Sequence, residues 1–243
     1  MAQRTDLEFR RSKPPARSPS PGPKSQPAEI AAFLAKASAT VPAAGAGRLI
    51  FALDATMSRQ PTWDLACRLQ AEMFRAAGRV GGLSVQLVYY RGNGEAKASA
   101  WAAEATALAR SMAAISCHGG LTQIGRVLDH AAREAARRPV AALAFVGDAV
   151  EEEIDTLAAQ AGALALRGVR AFMFLEGRDP MAERGFREIA RVTGGMVLPF
   201  DRNAPGEFAD LLAAVAAFAA GGRRALELEG GSAARRLLAD LRP

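Results

Sequence analysis

Five apolar residues in a row, Leu49 to Leu53, run directly into a carboxylate, Asp54, and then into hydroxyls at alternate positions, Thr56 and Ser58. An unbroken apolar run of this length between polar residues predicts a strand buried on both faces in the middle of a parallel sheet. A carboxylate set straight after such a strand is costly to bury unless it has a partner. In open α/β sheets ligands bind just outside the carboxyl ends of the strands. Three hard oxygen donors at that place suit a small oxygen-preferring cation such as Mg²⁺.

The rest of the chain is punctuated to match a sheet of this kind. Pro61 and Thr62 open a predicted helix that runs to about Ala77, with Leu65, Leu69 and Met73 as its inner stripe and Asp64, Arg68 and Glu72 outside. Strands are predicted at Leu83–Tyr90, Ala141–Val146, Arg170–Leu175 and Met196–Phe200, and a short antiparallel edge strand at Lys97–Trp101 after the turn Arg91–Gly94. Helices are predicted over Ala102–Met112, from Ile124 to before Pro139, after Glu151-Glu152-Glu153, from Pro180 to Gly194-Gly195, and over Phe208–Ala220. Strand and helix alternate. The expected fold class is therefore α/β: a doubly wound, mostly parallel sheet with one short antiparallel edge strand and helices on both faces, a Rossmann-like arrangement.

Four segments are expected. Residues 1–28 are rich in Pro, Ser and Arg, too poor in apolar side chains to offset ordering entropy, and expected to be disordered. Residues 29–46 hold a short amphipathic helix and a linker, 47–222 the folded domain, and 223–243 a C-terminal tail with its own apolar pairs, as in a short appended helix. The net charge of +6 and the pI near 10.0 raise the question of nucleic acid. Yet six of the basic residues, against Asp6 and Glu8, lie in residues 1–28, so the folded part is nearly neutral. It also has no basic stripe interleaved with aromatics, and this argues against nucleic acid. The longest apolar block, Leu211–Ala220, is far short of the roughly 20 residues that span a bilayer. With no apolar leader and two isolated cysteines, Cys67 and Cys117, the expected setting is cytoplasmic.

Two further stretches complete a constellation with Asp54-x-Thr56-x-Ser58. They are Gly119-Gly120-Leu121-Thr122, before one predicted helix, and Phe145-Val146-Gly147-Asp148, at the end of another predicted strand. In this order they resemble the three loops of the metal-ion-dependent adhesion site (MIDAS) of von Willebrand factor A-type (VWA) domains, and the resemblance covers roughly residues 47–222. It implies a VWA fold, with Asp54, Thr56, Ser58, Thr122 and Asp148 as ligands of Mg²⁺ or Mn²⁺. It further implies binding of a partner protein rather than catalysis; bacterial members often work beside an AAA+ ATPase or within a multiprotein assembly. Mg²⁺ wants six oxygens, so at least one position stays open, and an Asp or Glu carboxylate of a partner suits it.

Each residue also has an ordinary structural job available. Thr122 is a good helix N-cap, Ser58 can cap or brace its loop, and Asp148 favours the start of the following helix. Thr56 stands where the family has Ser and keeps the hydroxyl while restricting χ1. His118 is near Thr122 in sequence, and Cys67, Cys117, His118 and His130 have no common zinc spacing. The alternative function is a haloacid-dehalogenase-like phosphohydrolase with Asp54 as nucleophile and Gly147-Asp148 with Glu151 or Glu152 as its acidic loop. Such enzymes use a second carboxylate as general acid at the position of Thr56, which cannot serve.

Overall fold

The computed structural model describes residues 46–79 and 81–241. The expectations for residues 1–45, the basic tail and the short helix, lie outside the described residues. Among the described residues six strands form one sheet: β1 (Gly47–Asp54), β2 (Leu83–Arg91), β3 (Glu95–Ala102), β4 (Ala142–Gly147), β5 (Arg170–Glu176) and β6 (Met196–Phe200). Seven α-helices surround it: α1 (Gln60–Gly78), α2 (Ala105–Ala113), α3 (Ile124–Arg137), α4 (Ile154–Ala165), α5 (Pro180–Thr193), α6 (Pro205–Glu229) and α7 (Gly231–Asp240). The sheet order is β3-β2-β1-β4-β5-β6, with the β2–β3 pair antiparallel and every other pair parallel.

Strand β1 is buried along its whole length, as a two-faced apolar run requires. Its odd residues Leu49, Phe51 and Leu53 face one core layer, closed by α1, α2, α6 and α7 through Trp63, Met73, Leu108, Phe208, Leu212 and Leu237. Its even residues Ile50 and Ala52 face the other layer, closed by α3, α4 and α5 through Val127, Leu157 and Phe186. The two-residue alternation therefore sends Asp54 toward the α3–α5 side, together with its register partner Tyr90 on β2.

Helix ends follow local chemistry. The Asp179 carboxylate caps α5 by accepting from the Ala182 amide at 2.7 Å, Pro180 occupies the first turn, and Gly194 ends the helix at φ 65°, in the left-handed region. The expected helix over Phe208–Ala220 is longer, Pro205–Glu229, with a kink where Gly221 and Gly222 leave helical geometry. The segment expected as a tail beyond residue 222 is thus helical. Leu226, Ala234, Leu237 and Leu241 are buried in the main core layer.

At the amino end of the sheet a buried polar cluster ties three elements together. Arg48 of β1 pairs with Glu134 of α3 at 3.2 Å, donates to the Arg138 carbonyl at 2.7 Å, and lies 3.7 Å from the centre of the Trp101 ring on β3. Glu134 also accepts from the Trp101 indole N–H at 2.9 Å and pairs with Arg137 at 2.8 Å. Among the described residues no helix is long and apolar enough to cross a membrane.

Both cysteines carry free thiols. Burial pushes Cys67 and Cys117 up to about 11, with Asp64 and Asp54 respectively adding to the effect. That is about two units above an ordinary thiol and leaves about a hundredfold less thiolate. Native protein at pH 8 is therefore expected to react with a disulfide reagent such as DTNB far more slowly than urea-unfolded protein. Equal rates would show that neither thiol is sequestered.

Candidate functional site

The strand order reverses between β1 and β4: from β1 the chain moves outward to β2, and from β4 it moves the other way. This is the switch point at which open α/β sheets leave a crevice beyond the strand ends. Asp54 ends β1. Leu53 stands beside Val146 on β4, so Asp148, two residues on, leaves the neighbouring strand next to it.

The Asp54 carboxylate is 4% exposed, and its Oδ1 accepts the Thr56 backbone amide at 2.7 Å. Burial pushes its pKa up, the Thr56 amide and hydroxyl pull it back, and Asp148 raises it while Arg59 lowers it. Asp54 thus lies within electrostatic reach of Asp148. Below it the buried Tyr90 hydroxyl has no hydrogen-bond partner at normal geometry. Burial, and then the charges of Asp54, Glu152 and Asp148, hold that phenol well above its ordinary pKa.

Three loops close over this point. The first continues from Asp54 through a 3₁₀ turn, Met57–Arg59, into α1. The second, before α3, is tied to the first by the His118 amide donating to the Ala55 carbonyl at 3.0 Å. It is anchored to the β2–β3 turn by Gln123 Nε2 donating to the Gly92 carbonyl at 3.1 Å. The third runs from Asp148 to Glu153. The Thr122 hydroxyl donates to Glu152 at 2.5 Å and accepts from the Glu151 amide at 3.0 Å. The Thr122 amide donates to the Glu151 carboxylate at 2.6 Å.

Asp54, Thr56, Thr122 and Asp148 therefore sit on loops that meet at one pole. Ser58 lies on the same first loop and is solvent-exposed. Neither Thr122 nor Asp148 does the ordinary job considered for it. The α3 N-cap is Gln123, without a side-chain capping bond, and Thr122 instead binds the third loop. Asp148 pairs with Arg59 at 2.9 Å rather than with a helix start. His118 is exposed, with its ring nitrogen 3.1 Å from the Ser116 hydroxyl. Glu151 and Glu152, expected to open their own helix, lie before it. Glu152 instead accepts from the Gly125 amide at 3.3 Å, in the first turn of α3.

No protein-family profile and no curated protein sequence matches the chain. Similarity appears among solved structures. Proximal thread matrix protein 1 (PTMP1) of the mussel byssus aligns with a TM-score of 0.57 at 15% identity, over 73% of this chain and 47% of that one. An aerotolerance-related membrane protein of Bacteroides fragilis, carrying multiple mutations to serine, aligns with a TM-score of 0.52 at 18% identity, over 67% of this chain and 96% of that one. The SpRpn10 VWA domain aligns with a TM-score of 0.53 at 10% identity, over 65% of this chain and 89% of that one. This chain has a VWA fold. It spans about half of PTMP1, a protein whose MIDAS motif is also known with zinc bound.

The VWA pole has a donor set that fits a divalent cation only through mixed chemistry. Among the described residues no three His, Cys, Asp or Glu side chains are gathered to hold a metal by themselves. An ion at this place would draw on the hydroxyls of Thr56 and Thr122 and on water as well as on Asp54. Its charge has something to balance: Asp148 pairs with Arg59, and Glu176 with Arg59 and Arg202, while among the described residues Glu151 and Glu152 form no salt bridge. Among the described residues no Lys, Arg or His forms a salt bridge with Asp54.

Sequence reasoning passed over three groups at this pole. Glu176 carried a usable signal, because it follows the apolar run Ala171–Leu175 just as Asp54 follows its own run, and it too is buried. Arg59 and Tyr90 carried none. Their partners are about 30 to 120 residues away in the chain.

Proposed function

We propose that this VWA-fold chain is a protein-binding module whose carboxyl pole takes a divalent cation, Mg²⁺ or Mn²⁺. Asp54, Thr56, Ser58, Thr122 and Asp148 would hold it directly or through water. The observation that carries the reading is the Asp54 carboxylate: buried, without a salt-bridge partner, and set beside Asp148 at the switch point. A bound ion supplies an electropositive position open to a carboxylate from outside. The chain's own hydroxyls are neutral donors, so they leave that charge for an Asp or Glu of a partner protein to meet. Met57 and Leu121, each adjacent in sequence to a site hydroxyl, are 60% and 58% exposed and offer apolar contact at the same rim.

Calorimetric titration of the purified protein with Mg²⁺ and with Mn²⁺ tests this directly. Saturable heat is expected from the wild type and none from Asp54→Asn, whose circular dichroism should be unchanged. A wild type silent toward both ions would end the metal reading and leave the fold standing. For a protein partner, binding is expected to vanish in EDTA, to return with Mg²⁺ or Mn²⁺, and to vanish again in Thr122→Ala. Because Thr56 occupies the position where a phosphohydrolase needs its second carboxylate, no turnover of a generic phosphate ester is expected. Turnover that Asp54→Asn abolishes would overturn the binding assignment in favour of catalysis.

A further inference from the structure

Arg59 follows the candidate metal loop immediately, yet its guanidinium is only 3% exposed. It spans two carboxylates from two different strand ends. Its Nη1 is 2.9 Å from Asp148 Oδ2 after β4, and its Nη2 pairs with Glu176 Oε2 at the end of β5. The Thr62 hydroxyl also donates to Glu176, and Arg202 lies 3.6 Å from the other Glu176 oxygen. Arg59 is therefore held from both sides by fixed partners and is not a surface charge that happens to touch an acid. A guanidinium stays protonated at any working pH, and its flat fork suits bridging of this kind.

We propose that Arg59 is a resident cation of the VWA pole, competing with a divalent ion for Asp148 and thereby setting how tightly the pole binds it. The inference rests on the metal reading above and assigns a new role within it. One Asp148 oxygen is committed to Arg59, so an incoming ion meets a half-engaged carboxylate and a fixed positive charge beside it. Repulsion between a unit and a double charge at a few ångströms amounts to kilocalories even with strong screening. The resident charge therefore weakens binding while keeping Asp148 and Glu176 from repelling each other when no ion is present.

The test is Mn²⁺ affinity by calorimetry, with melting temperature in EDTA and in Mn²⁺, for the wild type and Arg59→Gln. Glutamine keeps hydrogen-bonding capacity and removes the charge. The expected result is a Kd lower by at least about tenfold, a lower melting temperature in EDTA, and a larger rise with Mn²⁺ than the wild type shows. An unchanged or weaker Mn²⁺ affinity in Arg59→Gln, with the wild type binding normally, overturns the inference and leaves the metal reading intact. A wild type that binds no Mn²⁺ beside an Arg59→Gln that does sustains the inference and overturns the metal reading for the native chain. Silence from both overturns both. If Arg59→Gln fails to fold, Arg59→Lys takes its place, since it lacks the planar guanidinium fork that spans both acids. A few-fold tighter Kd is then expected, and an unchanged one overturns the proposal.

Discussion

Glu134→Ala is expected to lower the unfolding free energy by about 3–5 kcal/mol, the usual cost of removing one partner of a buried ion pair. The loss has two sources. The Arg48 guanidinium, which lies over Trp101, keeps its charge without the carboxylate it faces, and the Trp101 indole N–H loses its acceptor. Urea unfolding should show the midpoint falling with little change in slope. A change under about 1 kcal/mol would mean that water takes the carboxylate's place. The effect carries a pH signature. Burial by itself would raise the Glu134 pKa, but the Trp101 hydrogen bond, His130 and Arg137 outweigh it and hold the group below the ordinary carboxylate range. A depressed native pKa contributes stability that is present above the unfolded-state pKa of about 4.3 and lost as pH falls through the native value. The gap between wild type and Glu134→Ala should thus be widest near neutrality and should close in acid.

Gly120→Ala is expected to weaken Mn²⁺ binding by about a hundredfold, the scale on which displacement of a functional group by about 1 Å is felt in a preorganised site. A Cβ at Gly120 would fall under 3.0 Å from the Gly92 backbone in the β2–β3 turn. The three atoms it would meet are all main chain of Gly92, so no flexible side chain can yield, and the second loop must move with Thr122 on it. The global cost should stay within about 1–3 kcal/mol, as for other overpacking changes. The variant would then melt cooperatively yet titrate poorly. Wild-type affinity in Gly120→Ala would show that Thr122 is not held by this contact.

Much of the fold was legible because its signals are local. The run Leu49–Leu53 reads as a central strand, and Arg91–Gly94 as a turn into an edge strand. Gly194-Gly195 marked the end of α5 through a left-handed residue. The extent of α6 was harder to read. Gly221-Gly222 looks like a terminator, and at that point it bends a helix whose continuation regains the core through Leu226. At the carboxyl pole, residues that end strands were visible from pattern alone, as Asp54 and Asp148 illustrate. What surrounds them was not. Thr122 looked like a cap for α3, and the Glu151-Glu152 pair looked like the start of α4. Only tertiary folding brings those two stretches together, so that each serves the other instead of its own helix.

The backbone of Gly47, where β1 begins, lies against Ala219 and Ala220 of α6. Just beyond the kink, Arg223 donates to the carbonyls of Leu238 and Leu241, gathering the last described residues to the same region. The chain thus enters and leaves this unit at the amino pole of the sheet, and Asp54 and Asp148 open at the opposite pole. The mouth can thus face solution while the opposite pole of the sheet is held. Holding the protein by the amino pole of the sheet should accordingly leave access to that mouth unobstructed.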